Sequence, residues 1–139
     1  MIQKSMLVLF ALCMAIGSSA SADELAANTT RVFELRTYTA APGKLEELHR
    51  RFREHTLKFF EQHGMENIGY WSPEAAPAST NTIVYLLAHE SKAAAAKSWA
   101  AFSADPEWQK VKRASEANGA LVTKVESVFL KPTDYSSMR

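Results

Sequence analysis

Residues 31–38 alternate apolar and polar side chains with period two and are rich in β-forming types, which predicts a first strand. Pro42 and Gly43 end the extended region. Leu45, Leu48, Phe52, Phe59 and Phe60 then recur at helical spacing as far as Gly64, predicting an amphipathic first helix with Gly64 just past its end. Residues 67–71 read as a short second strand, 72–80 as a loop carrying Pro73 and Pro77, and 82–89 as a third strand. Ser91 is placed to cap a second helix that passes through the alanine block 93–96 to Trp99 and Phe102. A further helix starts at Asp105-Pro106, with Asp105 as its cap and Trp108, Val111 and Ser115 on one face, and Asn118-Gly119 stops it. Residues 121–130 form the fourth strand, and 132–139 a loose polar tail.

This order of elements is that of a ferredoxin-like α+β fold, βαββαβ, with a four-stranded antiparallel sheet and its helices on one face. The third strand is central in that plan, and its run Ile83-Val84-Tyr85-Leu86-Leu87-Ala88 is apolar on both faces. No second layer of helices is available to cover the open face. A homodimer packed through that face about a two-fold axis is the economical cover. In the first strand, Phe33 and Leu35 are assigned to the face under the helices and Glu34, Arg36 and Tyr38 to the open face. Val125 and Phe129 of the fourth strand join the apolar set, Lys124 and Glu126 the charged one. The expectation is a mixed-charge cluster of Glu34, Arg36, Lys124 and Glu126 facing the second copy and fixing register and dimer geometry.

Upstream, Lys4, the apolar run 6–16 and the small residues from Gly17 to Ala22 have the layout of a signal peptide, cleaved before Asp23. The run is shorter than the about 20 residues a membrane span needs. Cys13, the only cysteine, lies inside it, and Leu12 is too bulky for lipoprotein processing, so no stable membrane anchor is expected. A polar lead-in, 23–30, precedes a domain over 31–131 that would be exported to a periplasm or secreted and fold without disulfides. The whole chain has 16 Lys+Arg against 15 Asp+Glu. Removing Lys4 balances the signs, so there is no basic footprint for nucleic acid.

The four histidines do not predict a metal site. His49, His55 and His63 share the first helix, separated by about 120° and about 80° around its axis rather than sharing one face. There is no Gly-x-Ser-x-Gly, no phosphate-cradling glycine loop and no cysteine in the exported part, which argues against hydrolase and nucleotide-binding classes. Small residues on the second helix facing large aromatics predict a cleft between helices and sheet. Its candidate ligand-binding residues are Glu34, Phe52, Phe59, Tyr70, Trp71, Trp99 and Trp108.

Glu34-Leu35-Arg36-Thr37-Tyr38 followed by Pro42-Gly43, together with Asp105-Pro106-Glu107-Trp108, resemble the NIPSNAP family over residues 32–130. The resemblance implies a dimeric α/β-barrel. That wider superfamily includes cofactor-free monooxygenases, haem-degrading enzymes, isomerases and dehalogenases, whereas the NIPSNAP branch has no agreed reaction. The first expectation is an exported homodimer of unassigned activity, without cofactor, binding a small apolar or aromatic molecule in the cleft. An alternative is a cofactor-free monooxygenase or isomerase acting on an aromatic substrate, in which His55 or His89 moves a proton and Arg36 with Tyr38 or Tyr85 steadies an oxyanion. A third reading is a haem-binding relative with a histidine ligand.

Overall fold

The computed structural model describes residues 31–138. The signal peptide and lead-in expected over 1–30 lie outside the described residues. Strand β1 (Val32–Ala40) is followed by a helical stretch in three parts: α1 (Leu45–Arg51), a π-helical turn (Phe52–Thr56) and α2 (Leu57–Gln62). Then come β2 (Glu66–Trp71), β3 (Thr82–His89), α3 (Lys92–Ala104), α4 (Pro106–Ser115) and β4 (Val122–Leu130). The sheet order is β2-β3-β1-β4, and every neighbouring pair is antiparallel. The fold is therefore the ferredoxin-like α+β arrangement, each half a split βαβ unit.

Each helix ends where its sequence provides a stop. Gly64 takes a positive φ of 74°. Its N–H donates to Glu61 O at 3.0 Å and that of Met65 to Phe60 O at 2.9 Å, the paired closure of a Schellman motif. Ser91 Oγ caps α3 by accepting from Ala94 N at 3.0 Å, and Asp105 caps α4 by accepting from Glu107 N at 2.8 Å and Trp108 N at 3.2 Å. The Asp105 elbow sets α4 against α3, which brings Trp99, Phe102 and Trp108 into one aromatic run.

The π-helical turn has a packing reason. Leu48, Phe52, Thr56 and Phe60 are all buried although they follow one another at strict spacings of four. In an unbroken α-helix each such step rotates by about 40°, so three of them would drift off the sheet. The wider turn resets the face, and Thr56 Oγ1 donates to Arg51 O at 3.2 Å across it. Burying Leu48 and Phe60 stabilises the domain by roughly 1.5–3 kcal/mol each. Both belong to one core cluster with Tyr85, whose fully buried ring meets Tyr38, Phe52 and Tyr70 at centroid distances of 5.2, 5.4 and 5.3 Å.

The two faces of β1 are the reverse of the sequence expectation. Glu34, Arg36 and Tyr38 lie opposite Leu87, Tyr85 and Ile83 on the face that carries the helices. Phe33 and Leu35 lie opposite Ala88 and Leu86, and these four form a separate cluster with Ile68 that no helix joins. The assignment of β4 holds: Val125 and Phe129 share the helix face, Lys124 and Glu126 the open one. The expected four-residue charge cluster therefore does not exist. Glu34 and Arg36 pair under the helices, while Lys124 and Glu126 pair at 3.0 Å on the exposed side. Alternation separates two faces but does not say which is covered, and in β1 the uncovered face is the more apolar.

On that open face Trp71, Val128 and Leu130 are 54%, 54% and 42% exposed. The Trp71 indole lies over Gly69, where a Cβ would sit 2.6 Å from the ring, so glycine at 69 makes room for a flat aromatic cover. Among the described residues no helix is long and apolar enough to cross a membrane.

Candidate functional site

The polar centre of the molecule is Glu34, delivered under the helices by the alternation of β1. Its side chain is 2% exposed. Four donors converge on it from separate elements: Trp99 Nε1 at 2.7 Å from α3, Ser127 Oγ at 2.6 Å from β4, His89 Nε2 at 3.0 Å from β3 and Arg36 Nη1 at 2.5 Å from β1 itself. Burial by itself would raise the carboxyl's pKa. The bonds from His89, Ser127, Trp99 and Arg36 outweigh it and hold the group down at about 2, so Glu34 is an anion at neutral pH.

Arg36 uses that anion as its anchor. Its guanidinium lies 4.0 Å from the Trp99 ring centre and 5.6 Å from that of Tyr38. Burial works against its charge, but Tyr85, Tyr38 and Glu34 together raise its pKa above the ordinary value. Arg36 Nε and the Tyr85 hydroxyl are both buried without a hydrogen-bond partner. Tyr85 is close enough to Tyr38 and Arg36 to feel both, yet in well-formed bonding geometry with neither. Burial first, then Tyr38, pushes its pKa well above the usual tyrosine value, so it remains a neutral hydroxyl. Two unused donors side by side beneath an aromatic wall can hold a developing negative charge on an oxygen.

Arg36, Tyr38 and Trp99 edge a cleft of about 420 Å³ between α3–α4 and β1–β4, with Tyr85 and Glu34 buried behind them. Its lining includes Arg36, Tyr38, Trp99, Phe102 and Trp108, with Arg51, Lys112 and Glu116 at the far side and Val122 and Val125 on the floor. A bulge at Thr39/Ala40 turns both valines toward the helices. Val125 remains 47% exposed, so the helices leave β4 open and the cleft has an entrance.

The structure divides the expected site residues among several places. Glu34, Arg36, Tyr38, Tyr85, Trp99 and Trp108 come together at or just behind this cleft. Phe52, Tyr70 and Trp71 instead line a smaller pocket of about 250 Å³ with His49 and Ile83. Phe59 packs on the outer side of Trp108, at 5.8 Å between rings. His55 lies on the outer surface beside Glu54 at 3.8 Å, in a groove away from the cleft. The His89 side chain is fully buried behind Glu34. His63 pairs with Asp105 at 2.8 Å, and this bond from His63 is the first cause holding the Asp105 pKa below the ordinary value. Among the described residues no histidine lines the cleft. Among the described residues no group of three or more His, Cys, Asp or Glu is placed to share a metal ion.

Two site residues escape sequence reading. Arg51 is 6% exposed and donates through Nη1 to Glu116 at 3.0 Å and Ser115 at 3.3 Å. Its signal is a charge three residues after Leu48, inside the apolar stripe. Ser127 stands between Val125 and Phe129 on one face of β4, a small hydroxyl in an apolar row. Both are polar residues at positions whose periodicity demands burial, which implies a partner.

Comparison with known proteins agrees with this architecture. No curated protein sequence matches the chain. A NIPSNAP protein of unknown function from Agrobacterium tumefaciens superposes with a TM-score of 0.68 at 24% identity, covering 80% of this chain and 96% of that one. A second NIPSNAP protein from the same organism gives 0.68 at 24% identity, covering 78% and 99%. A NIPSNAP-like domain protein from Burkholderia xenovorans gives 0.67 at 24% identity, covering 78% and 90%. At that identity the likeness speaks for the fold. The family model described as NIPSNAP matches residues 33–137, from β1 to beyond β4, and the chain belongs to the NIPSNAP family.

Proposed function

We propose that this protein is an exported homodimer whose helix–sheet cleft binds a small, flat, apolar or aromatic molecule bearing an acidic oxygen. The observation that carries the reading is Arg36. A charged guanidinium lies over the Trp99 ring, is tied to a buried carboxylate and has a buried Nε with no protein partner, at the edge of a cleft walled by rings. An arginine held in this way presents a preformed fork to an anion at little further entropic cost. Calorimetric titration with benzoate and naphthoate tests it. Both bind the native chain, and Arg36→Lys, which keeps the charge but loses the planar fork, weakens them about tenfold. Equal affinity in the variant, or no binding by the native chain, overturns the reading.

Two further parts of the proposal have their own supports. The apolar open face, with Trp71, Val128 and Leu130 exposed, is the surface a second copy would cover, and native mass measurement reads the dimer. The signal-peptide layout supports export, and N-terminal sequencing of the mature protein should begin at Asp23.

A second reading, turnover of the same kind of ligand, is favoured by the adjacent unused donors Arg36 Nε and Tyr85 hydroxyl, which suit an enolate or phenolate oxygen. Tyr85→Phe would then lower turnover at saturating substrate while leaving ligand affinity within about twofold.

A further inference from the structure

The wall of the cleft is a continuous run of aromatic rings with a guanidinium at each end. Arg36 lies 4.0 Å from the Trp99 ring, Trp99 meets Phe102 at 5.6 Å, Phe102 meets Trp108 at 4.4 Å, and Arg51 lies 5.4 Å from the Trp108 ring. The two ends are built alike. Each guanidinium spends Nη1 on a carboxylate, Glu34 for Arg36 and Glu116 for Arg51. Each leaves a buried Nε without a partner, and no described residue bonds either Nη2. The ends come from unrelated parts of the chain, β1 and the end of α1, so local sequence does not account for the match.

We propose that the ligand of this cleft is a dianion, a flat apolar body with an acidic group at each end, of the aromatic dicarboxylate class. The inference rests on the cleft being a ligand site and adds a second anchor to it. A carboxylate meets a guanidinium with two parallel hydrogen bonds, so one acid group uses the free donors at one end only. A monoacid leaves the other end unpaired, the condition under which a polar site discriminates most strongly. Between the anchors the rings favour an aromatic body stacked offset or edge-on rather than a flexible chain. The charges point the same way. Glu34 and Glu116 balance the two arginines, and Lys112 lines the same cleft. A ligand of two negative charges meets a net positive surround.

Calorimetric titration of the full chain with matched pairs tests the proposal: benzoate against terephthalate, naphthoate against naphthalene dicarboxylate, and biphenyl carboxylate against biphenyl dicarboxylate. The expected result is that the diacid of at least one pair, the one whose length spans the two arginines, binds about tenfold or more tighter than its monoacid. Arg51→Gln removes that difference. Because Arg51 is buried and that variant can lose its fold, Glu116→Gln supplies an independent arm. It frees the Arg51 fork from its competitor and should raise diacid affinity several-fold more than monoacid affinity, whereas a purely structural ion pair predicts no gain. Equal affinity of mono- and diacids in all three pairs, or no differential gain in Glu116→Gln, overturns the dianion while leaving the single Arg36 anchor standing. Absence of binding by every acid overturns the cleft as a ligand site.

Discussion

The two faces of β1 invert the usual distribution of polarity. Among the apolar side chains of the helix-covered face stand an ionised glutamate, an arginine, a histidine and a tyrosine hydroxyl, whereas the face without helices presents Phe33, Leu35, Trp71, Val128 and Leu130 beside the Lys124–Glu126 pair. Burying Glu34 and Arg36 is tolerable only because four donors satisfy the carboxylate, and a buried ion pair of this kind is weak evidence for stability as such. Apolar side chains left at a surface lose the stabilisation they would gain on burial. The ligand proposed for the cleft would account for the polar side, and the proposed second copy for the apolar one.

That contrast can be broken in order of expected effect. Glu34→Ala leaves Arg36 buried without its counter-ion, together with the unpaired donors of His89, Trp99 and Ser127. Chemical denaturation should show a loss of roughly 3–5 kcal/mol, and a loss under about 1 kcal/mol would mean the network is not closed as described. The same carboxylate sets the acid limb. Its pKa falls from an ordinary 4.5 to about 2 on folding, so its contribution is complete above pH 4.5 and disappears as pH drops toward 2. By linkage that is on the order of 3 kcal/mol. Urea midpoints measured across this window should fall steeply in the native chain and more gently in Glu34→Gln, which cannot titrate there.

On the opposite face, Val128→Asp places a charge on the exposed apolar surface. Sedimentation should show the proposed dimer weakened by about tenfold or more with the monomer still folded, and an unaffected dimer would locate the interface elsewhere. The smallest effect belongs to Lys124→Ala. Its ion pair with Glu126 is well exposed on both sides, and monomer stability should change by no more than about 0.5 kcal/mol.

Local signals were legible wherever chemistry and geometry coincide within a few residues. Ser91, Asp105 and Gly64 each announce a helix end because cap and closure are made with neighbouring backbone groups. The doubly apolar β3 announces its central position for the same reason, since its own side chains report burial on both sides. The candidate site was partly legible. Arg36, Tyr38, Tyr85, Trp99 and Trp108 stand out by type, and the structure gathers them. His55 and Phe59 do not join them, because they lie on the outer side of the first helical stretch. Arg51 does not stand out in the sequence because an arginine in a helix is ordinarily solvated, and only its place in the apolar stripe says otherwise. The π-helical turn left no mark in the pattern, as its residues are unexceptional and its cause is the fit of four side chains to one sheet.

What the sequence by itself determined is the succession of elements, their caps and the ferredoxin-like order, since these follow from periodicity and backbone chemistry read over short spans. Which face of β1 the helices cover was decided only in the tertiary structure. Period-two alternation is symmetric under exchange of the faces, and the symmetry is broken by donors that arrive from α3, β3 and β4, between 55 and 93 residues away from Glu34. A buried carboxylate is stable only where those donors meet, and their meeting is a property of the assembled sheet and helices.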